Sequence, residues 1–189
     1  MIDVALNFVV SELNTYLLAR TGETFGAAQL VSPVNDTGRW AIPDDAVGVA
    51  LINVDEERTM KVQVPEITYV NGRQVLLEPR LQINLDVLFA AQFKLYPQSL
   101  KFLSRVLTFF QAHPKFTSTD WPALDPAIET LVPELRALGF EQLNQVWAYI
   151  GGKYLPSVVY RMRLVTLQDL EPRSVGQPIT TIQATLAGR

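Results

Sequence analysis

The chain's one histidine, His113, is followed directly by proline, and cysteine is absent. Without cysteine there is no disulfide, no thiolate nucleophile and no cysteine-held metal. A single histidine needs a correctly placed acid or nucleophile to catalyse, and nothing around His113 supplies one. It is expected to end a helix and to bond locally. Neighbouring carboxylates occur as Asp44-Asp45 and Glu56-Glu57, but adjacent residues in a loop point apart and make a poor acid/base pair. Both pairs are expected in solvated loops. Gly151-Gly152-Lys153 has the glycine–lysine step of a phosphate loop without the earlier glycine or the following Ser/Thr, and it follows a helical pattern where such loops follow a strand. It is expected to stop a helix. These residues assign no catalytic group, cofactor or metal ligand, and the chain is expected not to be an enzyme.

One polar constellation stands apart. Asn84 and Asp86 alternate with Leu81, Ile83, Leu85, Val87 and Phe89, and Arg161 and Arg163 alternate with Val158, Tyr160, Met162 and Leu164. Period-two alternation gives each strand one apolar and one polar face. If the strands are neighbours, acids and arginines share a sheet face. They then form either cross-strand pairs worth a few tenths of a kcal/mol up to ~1 each, or a polar contact face for another subunit. The residues alone leave both readings open.

The elements that position these groups follow from periodicity. Ile2, Leu6, Val9, Leu13 and Leu17 mark one stripe of a helix ending at Thr21-Gly22. A short strand is expected around Gln29 to Val34, a buried one over Val47 to Val54, and a hairpin or loop around Asn71-Gly72. Pro97 to Ala112 reads as a helix. Its Leu100, Leu103, Leu107 and Phe110 form one stripe, beside a second of Phe102, Val106 and Phe109. A helix so widely apolar is either deeply buried or shared with a neighbouring subunit. Ile128 to Leu138 contains Pro133 and fits a helix or an edge strand. Phe140, Leu143, Trp147 and Ile150 have helical spacing, and Ser157 to Leu167 reads as a long strand. Phe89, Phe110 and Trp147 fall on apolar stripes and are expected in the core. The fold class is α+β, a mixed or antiparallel sheet with helices packed on it. Residues 1–168 are expected to form a single domain and residues 169–189 an extended C-terminal arm able to pair as a strand.

Composition agrees with a packed domain. The 189 residues are 48% hydrophobic and 19% charged, with net charge −3. That argues against a nucleic-acid binder working by phosphate neutralisation. No positively charged leader precedes an apolar run, and no apolar stretch is expected to reach the roughly 20 residues of a membrane span. Soluble cytoplasmic synthesis without direct membrane insertion is the expectation.

Several ordered blocks resemble a known family. They are Leu81 to Ala90 (LQINLDVLFA), Tyr96 to Leu103 (YPQSLKFL), Phe109 to Phe116 (FFQAHPKF) and Leu143 to Trp147 (LNQVW), running into Gly151 to Arg163 (GGKYLPSVVYRMR). Together with the helix beginning Ile2-Asp3, they are similar to the cap or tail-terminator proteins of contractile injection systems, phage-tail-like particles of the Photorhabdus virulence cassette type. The likeness runs from Met1 to about Leu167 apart from Asp55 to Pro79, and it favours a strand over Ile128 to Leu138. It implies a tail-terminator-like fold and a structural role. Copies of the chain would close into a homo-oligomer, a hexameric ring, on the distal end of the inner tube. The ring would bind the last sheath ring, stop polymerisation and become part of a particle that is released or membrane-associated. Sheath and inner tube proteins are the implied partners, and no nucleic acid, cofactor or metal is involved. Head-to-tail ring contacts would draw on Asn84, Asp86, Phe102, Val106, Phe109, Arg161 and Arg163. The competing readings are a small-ligand-binding or enzymatic α+β domain, which needs a pocket of converging polar groups, and a nucleic-acid module, which charge disfavours.

Overall fold

The computed structural model describes residues 1–22, 25–32, 34, 41–57, 66–70, 73–77, 79–151, 154–167 and 174–175. Helix α1, Ile2–Thr21, is the predicted N-terminal helix. Gly22, at φ 73°, ends it in the left-handed conformation and returns its N–H to the Leu18 carbonyl at 2.8 Å. By length and composition alone, and counting the described residues only, α1 is apolar enough to cross a membrane, which corrects the expectation that no stretch reaches that size. Here Leu6, Val9, Leu13 and Leu17 are buried against the rest of the chain. Asn14 pins it further: its side-chain amide donates to the Ala28 carbonyl at 2.9 Å and accepts from the Ala28 N–H at 2.7 Å.

Six strands make one mixed sheet: β1 Ala28–Leu30, β2 Ala46–Glu56, β5 Leu81–Gln92, β6 Phe116–Thr117, β7 Thr130–Arg136 and β8 Ser157–Leu167. Their spatial order is β1-β2-β5-β8-β7-β6, with only the β1–β2 pair parallel. Strands β3 Glu66–Val70, β4 Arg73–Leu77 and β9 Ser174–Val175 form a second, three-stranded sheet. The β3–β4 pairing leaves the two-residue connection that Asn-Gly predicts; Asn71 and Gly72 themselves lie outside the described residues. β1 is shorter than the predicted 29–34, and β2 runs on to include Glu56. The segment 128–138 resolves as β7, preceded by a 3-10 turn at Pro126–Ile128. Pro133 is tolerated because β6 pairs with Thr130 and Leu131 and, among the described residues, β7 is an open edge at the proline.

Helices α2, Tyr96–Ala112, and α3, Phe140–Ile150, cover opposite faces of the large sheet. With α1, α2 buries the main core around Val9, Leu13, Val87, Phe89, Phe109 and Met162. On the other face α3 places Trp147 and Ile150 over Leu88, Ala90 and Val159. Both faces of β5 are therefore covered, so its run from Ile83 to Ala91 is buried without interruption. His113 closes α2 as expected, with Nδ1 2.9 Å from the Phe109 carbonyl oxygen and its ring among Tyr16, Phe116 and Trp121.

Candidate functional site

α3 is shorter than the sheet it covers, and beyond it the second face turns polar. β5 and β8 are antiparallel neighbours with Asp86 directly opposite Arg161, so the condition set by the sequence pattern is met. Arg161 donates from Nε to Asp86 Oδ1 at 2.9 Å and from Nη2 to Oδ2 at 3.3 Å. One step along, Arg163 donates to Glu134 at 2.8 Å and to Glu57 at 3.3 Å, and Asn84 donates its amide to Glu57 at 3.1 Å. Asn84, Asp86, Arg161 and Arg163 thus lie together on one face.

Three other residues predicted for subunit contact lie elsewhere. Phe102, Val106 and Phe109 of α2 are on the opposite side of the sheet, 3%, 0% and 1% exposed in the protomer's own core. The wide apolar surface of α2 is explained by deep burial, and what it leaves outside is Leu100 and, at its start, Leu95 and Tyr96.

A backbone irregularity completes the polar face. Leu51 pairs with Val87 but Asn53 pairs with Asp86, so β2 carries one residue more than β5 at this point. The extra residue reverses the facing of everything after it. Ile52 packs into the second core. Asn53, which strict alternation from Leu51 would turn toward the main core, instead donates to Asp86 at 3.2 Å. Asp55 follows on the same face, 3.7 Å from Arg161. Glu57, expected in a solvated loop beside Glu56, is 7% exposed inside the network, which corrects that reading. Sequence reasoning also missed Glu134 and Arg136. Their signal was the alternation of Val132, Glu134 and Arg136 in a segment left open between helix and strand. Asp44 and Asp45 brace the turn before β2, accepting from the Gln92 side chain at 2.6 Å and the Lys94 N–H at 3.2 Å.

The electrostatics fit an ion-pair lattice. Burial pushes the Asp86 carboxyl up, but hydrogen bonds from Arg161 and Asn53 and the charges of Arg161 and Arg136 outweigh it and hold the group below its usual range. The hydrogen bonds that Arg161 donates to Asp86 and Arg163 donates to Glu134 raise the two guanidinium groups above their usual value. A carboxylate held ionised by arginines is a poor proton carrier near neutral pH. Among the described residues no three acidic or histidine side chains converge as metal ligands. Two cavities flank the lattice. One of about 510 Å³ is lined by charged side chains and Asn84, and one of about 530 Å³ runs beneath α3.

Residues 6–181 match the family model described as the Pvc16 N-terminal domain. The chain belongs to that family. Among solved structures it is similar to the sheath/tube terminator of the PVC extracellular contractile injection system in its extended state, with a TM-score of 0.63 and 17% identity over 95% of this chain and 64% of that one. It is also similar to the tube-terminating cap of the anti-feeding prophage, with a TM-score of 0.62 and 16% identity over 94% of this chain and 60% of that one. The chain therefore spans less than two thirds of the length of each. No curated protein sequence matches it. The α+β, tail-terminator-like fold that the resemblance implied is the fold observed.

Proposed function

We propose that this chain is a structural terminator of a contractile injection particle, ending inner-tube and sheath polymerisation and holding the distal sheath ring. The observation that carries the reading is the match of residues 6–181 to the Pvc16 N-terminal domain. The likeness of nearly the whole chain to a sheath/tube terminator and a tube cap supports it. In this reading copies close into a hexameric ring, partners are the sheath and inner tube proteins, and the protein carries no catalysis. The Asp86–Arg161 lattice stiffens the face that meets a neighbour. In this reading residues 1–168 form the terminator domain and residues 169–189 an arm able to pair as a strand; of the arm only Ser174 and Val175 are among the described residues, and their pairing with β4 supports that strand-forming ability. The chain is made in the bacterial cytoplasm and ends in the assembled particle.

The test is particle assembly with and without the gene. Electron microscopy should show sheathed tubes of uniform length in its presence, and tubes of unregulated length or shed sheaths in its absence. Mass photometry of the purified chain should give a particle six times the 21.2 kDa chain mass. Uniform, stably sheathed particles from the deletion strain would overturn the proposal.

A further inference from the structure

The two sides of the large sheet carry opposite charge. Residues 87–119, which include all of α2, contain Lys94, Lys101, Arg105 and Lys115 and no aspartate or glutamate. Lys94 lies 3.9 Å from Asp45. Lys101 and Arg105, one turn apart on α2, meet no carboxylate among the described residues. The Arg105 guanidinium lies over the Phe102 ring at 4.8 Å, and Lys101 is exposed next to the exposed Leu100, a turn after the exposed Tyr96. Across the sheet, the cavity of about 510 Å³ is lined by four carboxylates, Asp55, Glu56, Glu57 and Glu134, against two guanidiniums, Arg161 and Arg163. Asn84 lines it as well, only 4% exposed, and its Oδ1 accepts no hydrogen bond among the described residues. This face therefore carries more negative charge and more acceptors than its two arginines match.

We infer that the acidic cavity face of one copy of this chain receives the α2 face of a second copy, with Lys101 and Arg105 set against the half-exposed Asp55 and Glu134. The charges select this pairing over its rivals. Two α2 faces brought together would oppose cation to cation, and two cavity faces would oppose carboxylate to carboxylate. Two-fold pairing through either surface is therefore repelled. A contact between unlike faces is head-to-tail, the kind from which closed rings are built. It also covers Tyr96 and Leu100, the apolar residues that α2 leaves outside its own core. The inference rests on the ring reading for its partner, a second copy, and adds which two surfaces meet.

The absence of cysteine makes the contact directly readable with a short bismaleimide linker. Full chains carrying Lys101→Cys and Asp55→Cys separately should give linked dimers when mixed and none when either is treated alone. A chain carrying both substitutions should give a ladder of linked species beyond the dimer. In mass photometry Lys101→Glu should weaken self-association about tenfold, by setting like charges against each other, and Lys101→Glu combined with Asp55→Lys should regain most of that loss. Both positions are exposed, and the linker arm keeps the test sharp even if a charge reversal disturbs folding. Linked dimers from either single variant, or assembly indifferent to Lys101→Glu, would overturn the inference while leaving the ring reading standing. So would linkage of Lys101→Cys in assembled particles to a sheath or tube protein and not to its own copy. A native chain that stays monomeric at every concentration would overturn the ring reading along with it.

Discussion

Asp86 and Arg161 lie 75 residues apart in sequence and sit opposite each other in register between β5 and β8, joined by hydrogen bonds of 2.9 and 3.3 Å. The Asp86 side chain is 8% exposed and that of Arg161 20%. The pair is half sealed from water, so removing one partner strands the other's charge in a poorly hydrated site.

A double-mutant cycle isolates the pair. Asp86→Asn and Arg161→Ala should each cost about 2–3 kcal/mol of unfolding free energy, since a hydrogen-bonded, partly buried charge is left without its partner. The double variant should cost less than the two together, with a coupling of about 1–2 kcal/mol by urea denaturation. A coupling near zero would show that the lattice is decorative.

The same carboxylate sets a pH response. Asp86 titrates below its unfolded value of about 3.9 in the fold, so its contribution to stability is complete above that value and is lost as pH falls through the depressed folded value. The stability gap between the native chain and Asp86→Asn should be constant from pH 7 to about 5 and should narrow below about 4. Denaturant curves at fixed ionic strength across that range measure it. A gap that widens toward acid would reverse the assigned sign.

The distribution of what the sequence revealed has physical causes. α1, α2, α3, β5 and β8 as far as Arg163 were legible because each carries one period, and Asn84, Asp86, Arg161 and Arg163 fell on a common face once β5 and β8 were paired; past Met162 the register slips and Val165, not Leu164, stands opposite Ile83. Asn53 and Glu57 were not legible, because one surplus residue in β2 reverses their facing and only the pairing register records it. Phe102, Val106 and Phe109 show the complementary limit. Periodicity says that a face is covered and does not say by what, and here α1 and the chain's own sheet cover it. Glu134 and Arg136 stayed hidden behind Pro133, whose penalty in a strand vanishes on the part of β7 that β6 does not reach.

That placement of α2 separates folding from assembly. Phe109→Ala removes a fully buried ring that meets Tyr16, Phe110 and Phe116 and should cost about 3–5 kcal/mol, lowering Tm by roughly 10 °C at this chain length. Leu100→Ala, at a position 43% exposed, should leave the monomer's melting temperature within about 2 °C, since surface changes stay near ±0.5 kcal/mol. If α2 also meets a neighbour, Leu100→Ala should still reduce the ring fraction by mass photometry.

Two glycines with nearly the same backbone conformation give a matched comparison. Gly22 and Gly26 have φ of 73° and 77°, where a side chain costs about 1–2 kcal/mol through its Cβ. At Gly22 a Cβ would meet nothing within 4 Å, whereas at Gly26 it would fall 2.2 Å from the Phe102 ring. That ring cannot retreat, being stacked on Phe93 at 4.5 Å between centroids and edge-on to Phe25. Gly22→Ala should therefore cost only the backbone penalty of about 1–2 kcal/mol. Gly26→Ala should cost that plus about 1–3 kcal/mol of overpacking, and Gly26→Ala combined with Phe102→Leu should recover part of the excess. Equal losses for the two single substitutions by thermal denaturation would mean that the Gly26 turn and the Phe102 ring do not touch as described.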